Sequence, residues 1–378
     1  MSIRTENFSQ LHERSYYISL RDVFYHAFLF YSGFILFVLP TGTGIRHALF
    51  MIPFFAGFLG LLLLKHKISL FDFLLSGILL ISSFLTGHYD TITDAIVFSM
   101  LLLFVSLAYQ RRELSIHFNY GLILLFCWLF FFSLVYQLIQ NFGTFGYWEY
   151  TSKLYVGDTN FSGLYMLLFL FFSVRCKFWP GIVLSLISVL LFLSRTYFLA
   201  LTVFFLLMYF RDFLAPLVRR LNFFVIIMTL NILLLVYAFF VVTQMGVSDF
   251  SVRGFERLFS FNDRSALVRL EFNYILFYRF INDPIFLFVG EGQRFGEIAR
   301  GLLGNVPHNT LFNSVGTNGL FFSVMYLWVL SVIFKKIDWV SNFAYIIPVI
   351  FYSLFLHGIF NQGFAIFLVL ILMIPSKK

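Results

Sequence analysis

Charge is scarce in this chain. Only 12% of its 378 residues are Asp, Glu, Lys or Arg, against 60% hydrophobic and 22% aromatic. A soluble domain with so little charge would leave much of its apolar surface against water, so the composition and the mean hydropathy of +0.90 point to a polytopic membrane protein. Cysteine is nearly absent as well: Cys127 and Cys176 have no metal-type spacing and make no disulfide framework. The alternation of apolar and polar residues over about ten positions that marks a membrane barrel strand is missing. Residues 1–21 are polar and charged, and the apolar run after them is long enough to remain as an anchor, so no cleavable signal peptide is expected. Internal repeats are lacking, and phenylalanine enrichment is the one low-complexity bias.

Several chemistries lack their motifs. There is no Asp-x-Asp for a metal-bound nucleotide sugar and no His-Glu-x-x-His for zinc. There is also no phosphate-cradling Gly-x-x-x-x-Gly-Lys and no Gly-x-Ser-x-Gly nucleophile elbow. His26 and His357 near run ends, and Asp72 near one end of its run, read as packing or hydrogen-bonding residues.

What is present is a series of apolar runs near 22–40, 46–64, 68–86, 92–109, 119–139, 158–174, 178–194, 196–210, 221–243, 310–334, 342–357 and 361–375. At about 20 residues per span, the expected fold is all-α, with about twelve transmembrane helices and one large loop. The divisions are 1–243 (helices one to nine), 244–309 (the loop) and 310–378 (helices ten to twelve). Basic residues punctuate every second gap: Arg4, Arg14 and Arg21; Lys65 and Lys67; Arg111 and Arg112; Arg175 and Lys177; Arg211, Arg219 and Arg220; Lys335 and Lys336; Lys377 and Lys378. These are 16 of the 26 basic residues and seven of the eight lysines. By the positive-inside rule both termini are cytoplasmic and the large loop lies outside.

That loop carries seven arginines (253, 257, 264, 269, 279, 294 and 300), no lysine, and seven carboxylates that balance the charge. Guanidinium binds phosphate through a planar fork and stays charged at any relevant pH, which ammonium does not match. Two readings stand side by side: arginines paired with the loop carboxylates, and one or two left to meet an anionic substrate. Residues 265–281 read as an amphipathic helix at the outer surface. Arg195, between apolar runs 182–193 and 197–210, reads either as a snorkelling anchor or as a contact to an anionic head group. His308, in PHNT, sits at a helix start with His308 or Asn309 at the N-cap. It is either a capping residue or an imidazole kept neutral by the helix dipole and able to accept a proton.

Four stretches together resemble the O-antigen ligase/polymerase superfamily: GDTNFSGLYMLLFLFF (157–172), LLFLSRTYFLAL (190–201), RLEFNYILFYRFINDPIFLFVGEG (269–292) and HNTLFNSVGTNGLFF (308–322). Their order and spacing match across 157–330. Phe322 departs from the pattern, standing where the family often has a small residue. The resemblance implies metal-independent glycosyl transfer on the periplasmic face of the bacterial inner membrane, from a glycan on undecaprenyl diphosphate to a sugar hydroxyl. In that analogy Arg269 holds the diphosphate, Arg195 helps neutralise it, His308 assists deprotonation of the acceptor and Asn309 orients backbone or substrate. Arg264, Arg294, Asn160, Gly290 and Gly292 join the substrate site. The partners implied are the lipid-linked donor and acceptor, membrane lipids and, at one remove, a chain-length regulator. Nucleic acid is not among them, and neither metal nor organic cofactor is expected. Within the superfamily the polymerase is preferred, with the ligase that hands polymer to the lipid A core as the close competitor. A twelve-span flippase or transporter is the reading from another class. It would place ionisable groups at mid-membrane and use paired broken helices.

Overall fold

The computed structural model describes residues 20–39, 69–110, 113–114, 116–143, 151–245, 264–292, 295, 308–356, 359 and 362–375. They are overwhelmingly helical. In chain order the helices are α1 (Leu20–Phe37), α2 (Leu70–Thr86), α3 (Tyr89–Ala108), α4 (Tyr120–Gln140), α5 (Thr159–Cys176), α6 (Trp179–Phe192), α7 (Arg195–Tyr209), α8 (Arg211–Val218), α9 (Phe223–Met245), α10 (Arg264–Asn282), α11 (Pro284–Val289), α12 (Thr310–Asn318), α13 (Leu320–Lys336), α14 (Trp339–Ser353) and α15 (Gln362–Met373). Between α3 and α4, Tyr109–Gln110 and Glu113–Leu114 form a two-residue antiparallel pair.

Eleven of the expected apolar runs coincide with helices; the run at 46–64 lies outside the described residues. Among the described residues four helices are long and apolar enough to cross a membrane, within Thr91–Ala108, Tyr120–Gln140, Thr159–Cys176 and Phe223–Phe240. The pair α7–α8, bent by 92°, makes a fifth when taken as one; α1, α2, α6, α14 and α15 are shorter apolar helices. Large apolar side chains cover the outer faces of α2, α4 and α9, including Phe71, Phe84, Leu125, Phe132, Val236 and Phe240, an exterior suited to lipid rather than water.

One expectation needs correction. The run 310–334 is not one helix but two, α12 and α13, broken at Gly319. Gly319 sits at φ 78° and Gly290 at φ 74°, and the two backbones press together: a Cβ on Gly290 would lie 2.6 Å from Gly319 N. An L side chain tolerates neither that torsion nor that approach.

Helix α5 is the axis of the bundle. Its span is 78% buried, against 28% for the candidate span in α9, and it packs against α4, α6, α7 and α15. Hydrogen bonds and ion pairs sort the helix termini into two ends. At the C-terminal end of α5, buried Arg175 donates to Ile374 O at 3.0 Å and to Asn342 Oδ1, and Arg211 donates to Ser341 O at 3.0 Å. Lys336 meets the fully buried Asp72 at 2.9 Å, and Ser106 donates to the same carboxylate oxygen at 2.5 Å. His26 belongs to this end and is satisfied on both nitrogens: Nε2 accepts from Asn119 N at 3.0 Å, which leaves Nδ1 to donate to Asp22 O at 2.6 Å. His26 and Asp72 are thus the bonding residues the sequence implied, while His357 lies outside the described residues. At the N-terminal end of α5 the links are between caps, amides and a phenol.

Candidate functional site

Three helix N-termini converge on the C-terminal end of α14. Helix α5 starts at Asp158, whose carboxylate accepts from the N–H groups of Asn160 and Phe161 at 2.7 and 3.1 Å. Helix α7 starts at Ser194, just after Leu193 turns the chain through the left-handed region at φ 47°. The Ser194 hydroxyl accepts from Tyr197 N at 3.4 Å and donates to Asn160 Oδ1 at 2.8 Å, which ties the two helix starts together. Helix α12 starts at Asn309. This fully buried amide accepts from Phe312 N at 3.0 Å and donates to Asn231 Oδ1 at 2.8 Å and to Leu354 O at 3.4 Å.

The common partner is the stretch Tyr352–Leu356. The Tyr352 phenol donates to Asn160 O at 2.9 Å, and Thr310 donates to Leu356 O at 2.7 Å. Leu354 packs with Leu270 of α10 and with Leu234 and Ala238 of α9. Gly163 permits the approach, because a Cβ there would lie 2.7 Å from both Tyr197 Cβ and the Tyr352 oxygen.

The sequence-predicted residues fall around this hub. Arg195 is the first residue of α7 and half-buried, beside the Ser194–Asn160 link. Arg269 is half-buried next to Leu270, which packs with Leu354. His308 is half-buried and directly precedes Asn309. Asn160, Arg195, Arg269, His308 and Asn309 therefore share one end of the bundle. Arg264 opens α10 with its side chain outside the described residues, and Arg294 lies outside them altogether. Gly290 and Gly292 are at the same end. Glu291 N and Gly292 N donate to Gly316 O at 2.8 Å and Thr317 O at 2.9 Å, seating the Gly-Glu-Gly turn on the break between α12 and α13. One loop arginine is accounted for by a carboxylate: Arg279 pairs with Glu291 at 2.5 Å and lies over the Phe286 ring at 4.2 Å. Phe322 is core, stacked on Tyr326 with centroids 6.2 Å apart.

Sequence reasoning missed Tyr352, Asn231, Asn273 and His88. Asn231 carried a usable signal, since an amide in the middle of an apolar run is costly unless bonded or functional. Asn273, one turn after Arg269, is buried with its Oδ1 lacking a hydrogen-bond partner among the described residues. His88 caps α3 against Gly292, and its Nε2 is likewise without a partner there. Tyr352 had no local signal, because tyrosine is abundant throughout the chain.

Electrostatically, this end gathers the positive ends of three helix dipoles beside Arg195 and Arg269. Each helix terminus favours an anion by roughly 0.3–1 kcal/mol when exposed and up to about 2 kcal/mol when partly buried. Among the described residues no group of three or more His, Cys, Asp or Glu could hold a metal ion. The arrangement sets two guanidiniums and an imidazole at one end, beside helix starts whose N–H groups are capped by Asp158, Ser194 and Asn309. No family model, no curated protein and no solved structure matches the chain.

Proposed function

We propose that this chain is a multi-pass membrane glycosyltransferase that lengthens a surface polysaccharide, an O-antigen-type polymerase with its site at the end where Tyr352 meets Asn160. In this reading about twelve spans cross the bacterial inner membrane, both termini are cytoplasmic, and the site opens to the periplasm. The observation that carries it is that Asn160, Arg195, Arg269, His308 and Asn309, from three helix N-termini and the first turns of α10, lie at the end of the bundle where α14 closes at Tyr352–Leu356.

The chemistry follows from the groups assembled. The bond from the sugar anomeric carbon to the undecaprenyl diphosphate oxygen breaks, and a new bond forms from that carbon to an acceptor hydroxyl on a second lipid-linked repeat. The leaving diphosphate keeps the electron pair, and Arg269 with Arg195 neutralises the charge as it develops. The hydroxyl proton passes to His308, a positioned base contributing about 10²–10⁴-fold. A diphosphate matched in charge leaves without a protonated carboxyl, so the paired carboxylates of glycoside hydrolysis are not needed. Asn309 fixes the backbone that presents His308. It does so through its bonds to Asn231 and Leu354.

Deleting the gene and examining the surface glycan tests the reading. A single repeat attached to lipid is the expected outcome. Carrier-linked polymer with a bare core would assign the ligase activity instead, and an unchanged glycan would remove both.

A further inference from the structure

A cavity lies at the opposite end of the bundle, far from the groups just described. It has a volume of about 270 Å³ and is lined by Arg219, Asn222, Phe334, Lys335 and Trp339 among others. Its frame follows from the turn at the end of α7. The chain bends by 92° into α8, which lies across the bundle, exposes Phe213 and Leu217, and ends at Arg219. The indole of Trp339 fixes that end by donating to Val218 O at 3.3 Å. Phe223 then closes the inner wall, its ring 4.8 Å from Phe334 and 6.2 Å from Trp339.

The cavity is amphipathic. Arg219 and Lys335 bring two cations, and neither forms an ion pair among the described residues, whereas neighbouring Lys336 is committed to Asp72. One carboxylate, Asp338, also lines the cavity and caps α14, accepting from Ser341 N at 3.3 Å and from the Ser341 hydroxyl, so the two cations outnumber the one anion. Ser331 donates to Asn222 Oδ1 at 2.6 Å, and the same oxygen accepts from Phe224 N at 2.9 Å. The positive end of α9, a 23-residue helix, therefore opens beside the two cations.

We infer that this cavity binds the phosphate of an anionic membrane lipid. Arg219 and Lys335 take the phosphate oxygens, and the aromatic wall of Phe223, Phe334 and Trp339 takes the apolar part next to the head group. The surface helix α8, with Phe213 and Leu217 outward, sits where an interfacial helix meets head groups. Basic pockets between membrane helices favour anionic lipid for the same electrostatic reason. The inference does not rest on the glycosyltransferase reading, since it uses none of its residues.

The test uses the full-length protein purified in detergent and native mass spectrometry with added phosphatidylglycerol, phosphatidylcholine or inorganic phosphate. Wild type should retain phosphatidylglycerol in a saturable way and phosphatidylcholine at least tenfold more weakly. The double variant Arg219→Gln/Lys335→Gln should lose at least tenfold in phosphatidylglycerol affinity. Arg220→Gln, a neighbouring cation that does not line the cavity, should lose less than twofold. The charge-conserving pair Arg219→Lys/Lys335→Arg should keep binding, which separates loss of charge from loss of fold. Equal binding by the double Gln variant and wild type would overturn the inference. So would an equal loss in Arg220→Gln, or occupancy by inorganic phosphate with no preference between the two lipids.

Discussion

The two ends of this bundle use polar residues differently. At one end Arg175, Arg211 and Lys336 are structural: they bind Ile374 O, Asn342, Ser341 O and the buried Asp72, bracing helices that are distant in sequence, while Arg219 and Lys335 line the cavity beside them. At the other end the bracing is done by helix caps, amides and a phenol, through Asp158, Asn160, Ser194, Asn309 and Tyr352. Arg195 and Arg269 lie at this end too, and Arg279 pairs there with Glu291. The difference teaches where substitution should cost stability and where it should cost activity.

The largest expected effect is on activity. Arg269→Ala and His308→Ala should each lower glycan elongation by on the order of 10²–10⁴-fold, the scale of a lost charge stabiliser or positioned base. Thermal unfolding of the purified variants should stay close to wild type. Arg269→Lys should recover only a small part of the rate, since an ammonium cannot offer the planar fork. Elongation at the wild-type rate in both alanine variants would erase the contrast between the ends.

At the bracing end the expected loss is in stability. Lys336→Met leaves Asp72 buried with no ionic partner and should cost about 3–5 kcal/mol, read as a lower unfolding midpoint in detergent with activity per folded molecule retained. Gly163→Ala should come next. Its Cβ would press on Tyr197 and Tyr352, for roughly 1–3 kcal/mol of overpacking, with some loss of activity because the hub shifts. The smallest effect sharpens the comparison most. Tyr352→Phe removes one donor to Asn160 O and should cost about 1 kcal/mol, visible in unfolding, together with a modest fall in elongation rate.

Much of the fold was legible because an apolar run of span length has few alternatives to a helix. The alternation of basic gaps also anticipated which helix termini meet: Arg175, Arg211 and Lys336 share an end, as do Asn160, Arg195 and His308. The break at Gly319 was missed although it had a signal, since Thr317-Asn318-Gly319 interrupts the apolar run with a turn dipeptide; the backbone of Phe288–Gly290 pressing on Gly319 from outside the segment was not legible. The site was half legible. Asn309 could be read as a cap, because an amide before a helical run accepts a backbone N–H. Tyr352 could not be read, since its role depends on helices that start at Thr159 and Arg195 arriving beside it.

The most direct test is elongation by the purified full-length protein, in detergent, supplied only with undecaprenyl-diphosphate-linked repeat units. With chelator present and without nucleotide or ion gradient, the wild type should build a ladder of lengthening glycans, and His308→Ala should leave the repeats unextended. An inert wild type, or a ladder from His308→Ala equal to that of the wild type, would contradict the account.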